Sequence, residues 1–315
     1  MDQAKADCFY AKYQTTQDQR WLLLAEENYL IAVDCIQYHL LNYDDASSQI
    51  ALRDLTDDFY EQAIQTKLEL FAKTKQRKYQ VAAFKVAQEA NAFVLRALLN
   101  EQQSLEVAGV APAKITSLKN QQKRKNQLEQ QLQDASGKQL DSLQTLLVDL
   151  KNKTYQLKQQ LTKEYPKYTQ LRNDLEVATI SALQEKIEEE SLLLKYFKGE
   201  KVLYIFSLGQ QAFRVDTVAL PDHFDDLIFQ YRRAISDLDF INDSTDLAEQ
   251  QYLRSAHQLY QILLKKPLSQ LDKNQAISRL KIVADGVLAA IPFQALQMAP
   301  VASWEDPQHL VVTRY

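Results

Sequence analysis

Apolar residues recur at helical spacing through the front of the chain, on polar sequence. Leu22, Tyr29, Val33, Ile36 and Leu40 share one helix face, and Leu52, Leu55, Phe59, Ala63 and Leu70 share a second. Ala83, Val86, Ala90, Val94 and Ala97 make a third stripe of small residues. Asn42-Tyr43-Asp44-Asp45 and Lys73-Thr74-Lys75-Gln76 are the polar breaks between them. Neither glycine nor proline occurs before Gly109, so this region lacks the residues that mark hairpin turns. Short breaks and alanine-rich faces predict stacked antiparallel helix pairs over 1–108, the arrangement of helical-repeat proteins.

After Gly109-Val110-Ala111-Pro112 the pattern narrows. Ile115, Leu118, Leu128 and Leu132 precede Asp134-Ala135-Ser136-Gly137-Lys138, and Leu140, Leu143, Leu147, Leu150, Leu157 and Leu161 follow it. Gaps of three, four and seven form a coiled-coil seam, and the Ser-Gly break reads as a tight helix–helix turn. Residues 109–178 are thus expected to form a helical hairpin whose arms reach roughly 30–40 Å at ~1.5 Å per residue. Tyr165-Pro166 ends the second arm, and so narrow a stripe needs a neighbour to lean on.

Beyond Thr179, an expected N-cap with Ile180, Leu183 and Ile187 on one face, the period changes from helix to strand. Ser191–Phe197, Val202–Leu208 and Ala212–Val218 are β-rich runs with short loops, an antiparallel meander. Helices are predicted over Pro221–Leu238, with the stripe Phe224, Leu227, Tyr231, Ile235 and Leu238, and over about Asp246–Leu264. A strand over Arg279–Ala284, a turn at Asp285-Gly286, a short helix over Ile291–Gln297 and a strand over His309–Thr313 complete the reading. Strands, two helices and more strands predict a mixed sheet with helices packed on it, so the fold class is α+β in several domains. The chain stops at Tyr315 straight after an apolar run, which leads us to expect an incomplete sheet.

Composition changes this picture little. An apolar share of 46% suits ordinary globular cores, and a net charge of −4 argues against wholesale binding of nucleic acid or anionic membrane. No apolar run approaches the ~20 residues of a membrane span, and the start Met1-Asp2-Gln3 is not a secretory signal. Two cysteines do not make a disulfide framework, so a reducing cytoplasm is the expected setting.

Candidate chemistry is sparse. Cys8 has no base nearby in sequence. Cys35 and His39 share a helix face at four-residue spacing, but Val33, Ile36 and Leu40 around them suggest a buried, structural thiol. His223, His257 and His309 are scattered and read as solvated or capping side chains; the pairs His223–Asp226 and Asp306–His309 fall short of the three or four ligands a metal needs. Asp237–Asp246 superficially resembles a calcium loop. It lacks the sixth-position glycine and has Ala248 where the bidentate Glu belongs, so it reads as an acidic interhelical loop with Thr245 or Asp246 capping the next helix. Lys123-Arg124-Lys125 lacks interleaved aromatics and reads as a solvated helix face. No phosphate-binding loop, dinucleotide fingerprint or nucleophile elbow occurs. The reading therefore assigns no catalytic, cofactor-binding or metal-binding residue and expects no cofactor.

From Thr179 the order of motifs becomes specific. Ile180-Ser181-Ala182-Leu183-Gln184, then Leu192-Leu193-Leu194-Lys195-Tyr196-Phe197-Lys198-Gly199-Glu200, then Leu203-Tyr204-Ile205-Phe206 precede Ile282-Val283-Ala284-Asp285-Gly286-Val287-Leu288-Ala289-Ala290-Ile291-Pro292-Phe293-Gln294-Ala295-Leu296. This resembles the front of a CHAT domain, the caspase-like module that accompanies tetratricopeptide repeats in bacteria, over 179–315. Lys195 stands where that family has an acidic residue, Ala284 where it has proline and Gln294 where it has glutamate. The stretch Gly109–Tyr168 is similar to the helical linker before such domains. Residues 1–108 share only general repeat character, without the ~34-residue period of tetratricopeptide repeats. The resemblance implies a cysteine peptidase in which a histidine deprotonates the nucleophilic thiol, with a protein or peptide partner on the helical repeats as its control. The family's His-Gly and Ala-Cys-Glu motifs follow the Pro-Phe-Gln-Ala-Leu position, and neither is found here. Val287–Leu296 is expected to be core scaffold, and the alternative reading is a non-enzymatic interaction scaffold.

Overall fold

The computed structural model describes residues 2–42, 56–133, 135–173, 177–271, 277–301, 303 and 309–314. Leu52, Leu55, Tyr43-Asp44-Asp45, Asp134 and Asp306 lie outside the described residues, as do the side chains of Val94 and Ala97. Among the described residues the chain is mostly helical, with a mixed four-stranded sheet, and its contacts divide it into two compact units. One comprises Met1–Val33, Thr56–Asn91 and Val177–Tyr315; the other comprises Asp34–Leu55 and Ala92–Glu176. The helices Gln19–Asn42 and Arg77–Val107 each contribute residues to both units.

In the first unit, helices α1 (Asp2–Thr16), α2 (Gln19–Asn42, to Val33), α3 (Asp57–Thr74) and α4 (Arg77–Val107, to Asn91) form a helical layer. The apolar stripes did not include α1, whose buried face is Ala6, Tyr10 and Tyr13 at helical spacing, small and aromatic instead of aliphatic. Polar bonds cross the layer. Tyr29 Oη donates to Asp7 Oδ1 at 2.7 Å, Tyr10 Oη donates to Glu69, and buried Lys67 pairs with Glu26. The break between α3 and α4 falls at Lys75, in left-handed conformation, whose N–H returns to the Phe71 carbonyl at 2.8 Å.

Short helix α8 (Ile180–Gln184) begins at Thr179, whose side chain accepts the Ala182 N–H at 3.2 Å, the cap predicted from sequence. Strands β1 (Ser191–Lys198), β2 (Val202–Leu208) and β3 (Phe213–Ala219) then form the expected meander, and β4 (Arg279–Val283) joins β1 in parallel, giving the order β3-β2-β1-β4. Tyr196 stands opposite Ile205, and Leu194 opposite Ile282.

The two faces of the sheet carry different helices. Leu192, Leu194, Tyr196, Leu203 and Ile205 join the core formed by α9 (Phe224–Ser236) and α11 (Thr245–Leu263). On the other face, the Phe84 ring of α4 lies 5.4 Å from Phe206 and 5.6 Å from Phe213. Coverage on both sides explains why β1 and β2 read as nearly continuous apolar runs.

Gly199, in the β1–β2 turn, permits a close approach of α3 to the sheet. A Cβ there would sit 2.0 Å from Glu61 Oε1, and the Glu200 N–H donates to Glu61 Oε2 at 2.8 Å. Burial raises the Glu61 carboxyl above its ordinary range, with the Glu200 amide opposing. The folded state thus holds this proton to higher pH than the unfolded chain does. The contribution to stability is full at low pH and declines as pH rises through the folded-state ionisation. Urea unfolding of Glu61→Gln, followed upward from about pH 4, is expected to lose less stability than wild type over that rise. Parallel stability–pH curves for the two proteins would refute the assignment.

Four expectations are corrected in this unit. The acidic stretch after α9 is not a loop: Leu238–Asp243 forms helix α10, because Asp237 Oδ1 caps it by accepting the Phe240 N–H at 3.0 Å. Ser244, not Thr245 or Asp246, occupies the N-cap position of α11, and the Thr245 hydroxyl instead bonds back to the Ile241 carbonyl. The short helix over 291–297 is a single 3-10 turn, Phe293–Ala295, preceded by another at Gly286–Ala290; between them Pro292 has no N–H to continue a helix. Nor is 309–313 a strand: Leu310 makes a single bridge to Gln297 before a 3-10 turn at Val311–Thr313. Helix α12 (Lys265–Leu271) extends the region after α11.

The second unit contains the hairpin. Helices α5 (Pro112–Gln133) and α6 (Lys138–Glu164) are antiparallel, as the salt bridge between Lys114 at the start of one and Glu164 at the end of the other requires. Tyr165 ends α6 and Pro166 opens α7 (Pro166–Asn173). The hairpin does lean on a neighbour: Leu118 and Leu161 pack at its base with Leu105, Val110 and Tyr168.

Candidate functional site

Among the described residues β4 pairs on one side only, with β1. On the face it shares with Leu192 and Leu194, Leu280, Ile282 and Ala284 line a groove of about 400 Å³, closed by Leu288, Phe293 and Val311. The walls come from the segment after β4. Asp285 Oδ1 accepts the Gly286 N–H at 2.7 Å, and Gly286 adopts φ 56°, a left-handed turn suited to glycine. From there Leu288, Ile291, Phe293 and Leu296 are buried, while Val287 is exposed.

Three side chains from the overlying helices hold this segment by its carbonyls. Tyr231 Oη donates to Pro292 O at 3.0 Å, Tyr252 Oη to Ala295 O at 2.9 Å, and His257 Nδ1 lies 3.1 Å from Gln297 O. A carbonyl only accepts, so His257 carries its proton on Nδ1, and Nε2 is left to accept from Gln261 Nε2 at 3.1 Å. The Tyr231 and Tyr252 rings stack with centroids 6.1 Å apart, and burial raises both hydroxyl pKa values, keeping them donors. The segment's carbonyls are taken by side chains in place of an i→i+4 ladder, which is why it stays in 3-10 turns. The far end is pinned by Met298 N–H to His309 O at 2.7 Å and by Val311 N–H to Leu296 O at 3.0 Å.

The chemistry this arrangement supports is binding and positioning. Its lining is apolar apart from Gln294, and both ring nitrogens of the adjacent His257 are engaged. An imidazole so occupied is a structural clasp, not a solvated or capping group as its sequence position suggested. The signal that would have found it is the run Tyr231, Tyr252, His257: polar-tipped side chains at core-facing positions, each needing a buried acceptor.

Other candidates are placed as follows. Cys35 is exposed, correcting the expectation of a buried thiol: Val33, Ile36 and Leu40 make the buried face and the cysteine lies outside it. Cys8 is exposed too, and His39 is exposed beside Cys35, its ring edge-on to Tyr38 at 5.8 Å. His223 sits at the start of α9 without a side-chain capping bond, and exposed. The basic cluster is not one solvated face, since Lys125 is buried and pairs with Glu129 at 3.6 Å while Lys123 and Arg124 are exposed. Of the resemblance positions, Lys195 is buried on β1 between Phe206 and Val283 of the flanking strands. Among the described residues no group of three or more His, Cys, Asp or Glu is placed to hold a metal ion, and no helix is long and apolar enough to cross a membrane.

No family model, curated protein or solved structure matches the chain.

Proposed function

We propose that these residues are the recognition and scaffold part of a bacterial, cytoplasmic repeat-plus-CHAT protein, whose parent is a caspase-like cysteine peptidase controlled by a partner bound to the helical layer. The observation that carries the reading is the order of elements. A meander is followed by helices α9 to α12, then by a strand parallel to β1, then by the Asp285–Leu296 turn clasped by Tyr231, Tyr252 and His257. That order follows the motif order of the resemblance, and an edge strand flanked by an apolar groove suits a sheet that extends further.

A second reading, a non-enzymatic scaffold with a degenerate CHAT module, is favoured by the groove itself, whose lining holds no nucleophile or base. The coding sequence that follows Tyr315 separates the two. A His-Gly followed about 40–60 residues on by Ala-Cys-Glu supports the peptidase, and absence of both leaves the scaffold.

For the 315-residue chain, no cysteine-peptidase turnover is expected on peptide libraries. Its exposed thiols will alkylate with general reagents, since exposure alone permits that. Labelling by a peptidyl ketone substrate analogue that disappears in His39→Ala would overturn this part of the reading.

A further inference from the structure

Helix α11 returns alongside α9 after the short α10, and on their outer side the two leave a groove of about 520 Å³, away from the clasped turn. Phe229 on one helix and Leu247 on the other stand on its walls, 66% and 55% exposed. Leu227, Ile228 and Tyr231 bury the inner face of α9, so the outer placement of Phe229 contributes nothing to the core.

Two arginines share the groove with these apolar side chains. Arg233 lies 3.5 Å from Asp237 and stacks over the Phe240 ring at 4.0 Å. Arg254 is exposed, and no carboxylate among the described residues lies within ion-pair distance of it. The single carboxylate of the lining, Asp226, belongs to the first turn of α9.

We infer that this groove docks a partner helix of acidic amphipathic character, with apolar side chains against Phe229 and Leu247 and a carboxylate on Arg254. A trough between two helices is matched by a third helix presenting anchors at i, i+3 or i+4, and i+7. Charge decides the rest. The chain as a whole carries −4 and repels an acidic peptide, and Arg233 is already paired with Asp237, so any preference for one comes from the local charge of Arg254.

The test uses the 315-residue chain and two fluorescein-labelled, helix-forming peptides with the same leucine stripe, one with glutamate and one with lysine at the flanking positions. Fluorescence anisotropy is expected to show binding of the glutamate peptide only. Arg254→Glu is expected to weaken it about tenfold and to make the lysine peptide the better ligand, while Phe229→Ala weakens either peptide. Both substitutions are at exposed positions, and unchanged circular dichroism and thermal midpoints would show that folding is intact. Equal binding of the two peptides, binding of neither, or an unaltered preference in Arg254→Glu would overturn the inference.

Discussion

Tyr196→Ala is expected to destabilise the chain by about 3–5 kcal/mol, the range for truncating a fully buried aromatic. Tyr196 is inaccessible in the centre of β1, its ring lies 5.6 Å from that of Phe293, and its hydroxyl donates to the Leu263 carbonyl at 3.0 Å. One side chain therefore links the sheet, the end of α11 and the clasped turn. Alanine would leave a cavity bordered by all three and orphan the carbonyl. A loss of this size is comparable to the whole stability of many domains, so the variant should fail to accumulate as folded protein or should melt many degrees lower. Tyr196→Phe separates the causes: it retains the packing and should cost about 1 kcal/mol for the hydrogen bond alone. Equal losses in the two variants would show that the hydroxyl, not the ring, is decisive.

The second large effect is expected in the helical layer. The Lys67 side chain is 1% exposed and pairs with Glu26, itself 18% exposed. Removing one partner of a buried pair leaves an uncompensated charge, so Glu26→Gln should cost about 2–4 kcal/mol, a range lowered here by the partial exposure of Glu26. Lys67→Met in the Glu26→Gln background removes the stranded ammonium and keeps a side chain of similar length. Most of the lost stability should return. Chemical denaturation of the wild type, the single and the double variant tests this directly. A single variant as stable as wild type, or a double variant no better than the single, would show that the ammonium finds solvent.

Element positions were largely legible. Val202–Leu208 is a strand at the residues where its pattern predicted one, and Thr179 caps its helix through the predicted hydroxyl. Local signals sufficed there, because strand alternation and N-capping are decided within a few residues. The failures are instructive for the same reason. Asp237–Asp246 looked like a loop because acidic residues dominate it, yet one aspartate at the right place starts a helix. The candidate site was less legible: Leu288, Phe293 and Leu296 could be assigned to a core, but nothing near them in sequence points to Tyr231, Tyr252 or His257, which lie about 40–60 residues earlier.

Sequence alone was enough to place a helical front ahead of a sheet-bearing end, since periodicity, glycine and proline act locally. The partner of each amphipathic surface was settled only by tertiary structure. The stripes on α3 and α4 specify a buried face and do not say what buries it; in the fold these helices meet the sheet through residues outside the stripes, Phe84 against Phe206 and Phe213 and Glu61 against the Gly199 turn. Hydrophobic burial is non-directional, so the pattern predicts that a surface is covered, whereas the close approach at Gly199 and the three clasped carbonyls fix the alignment.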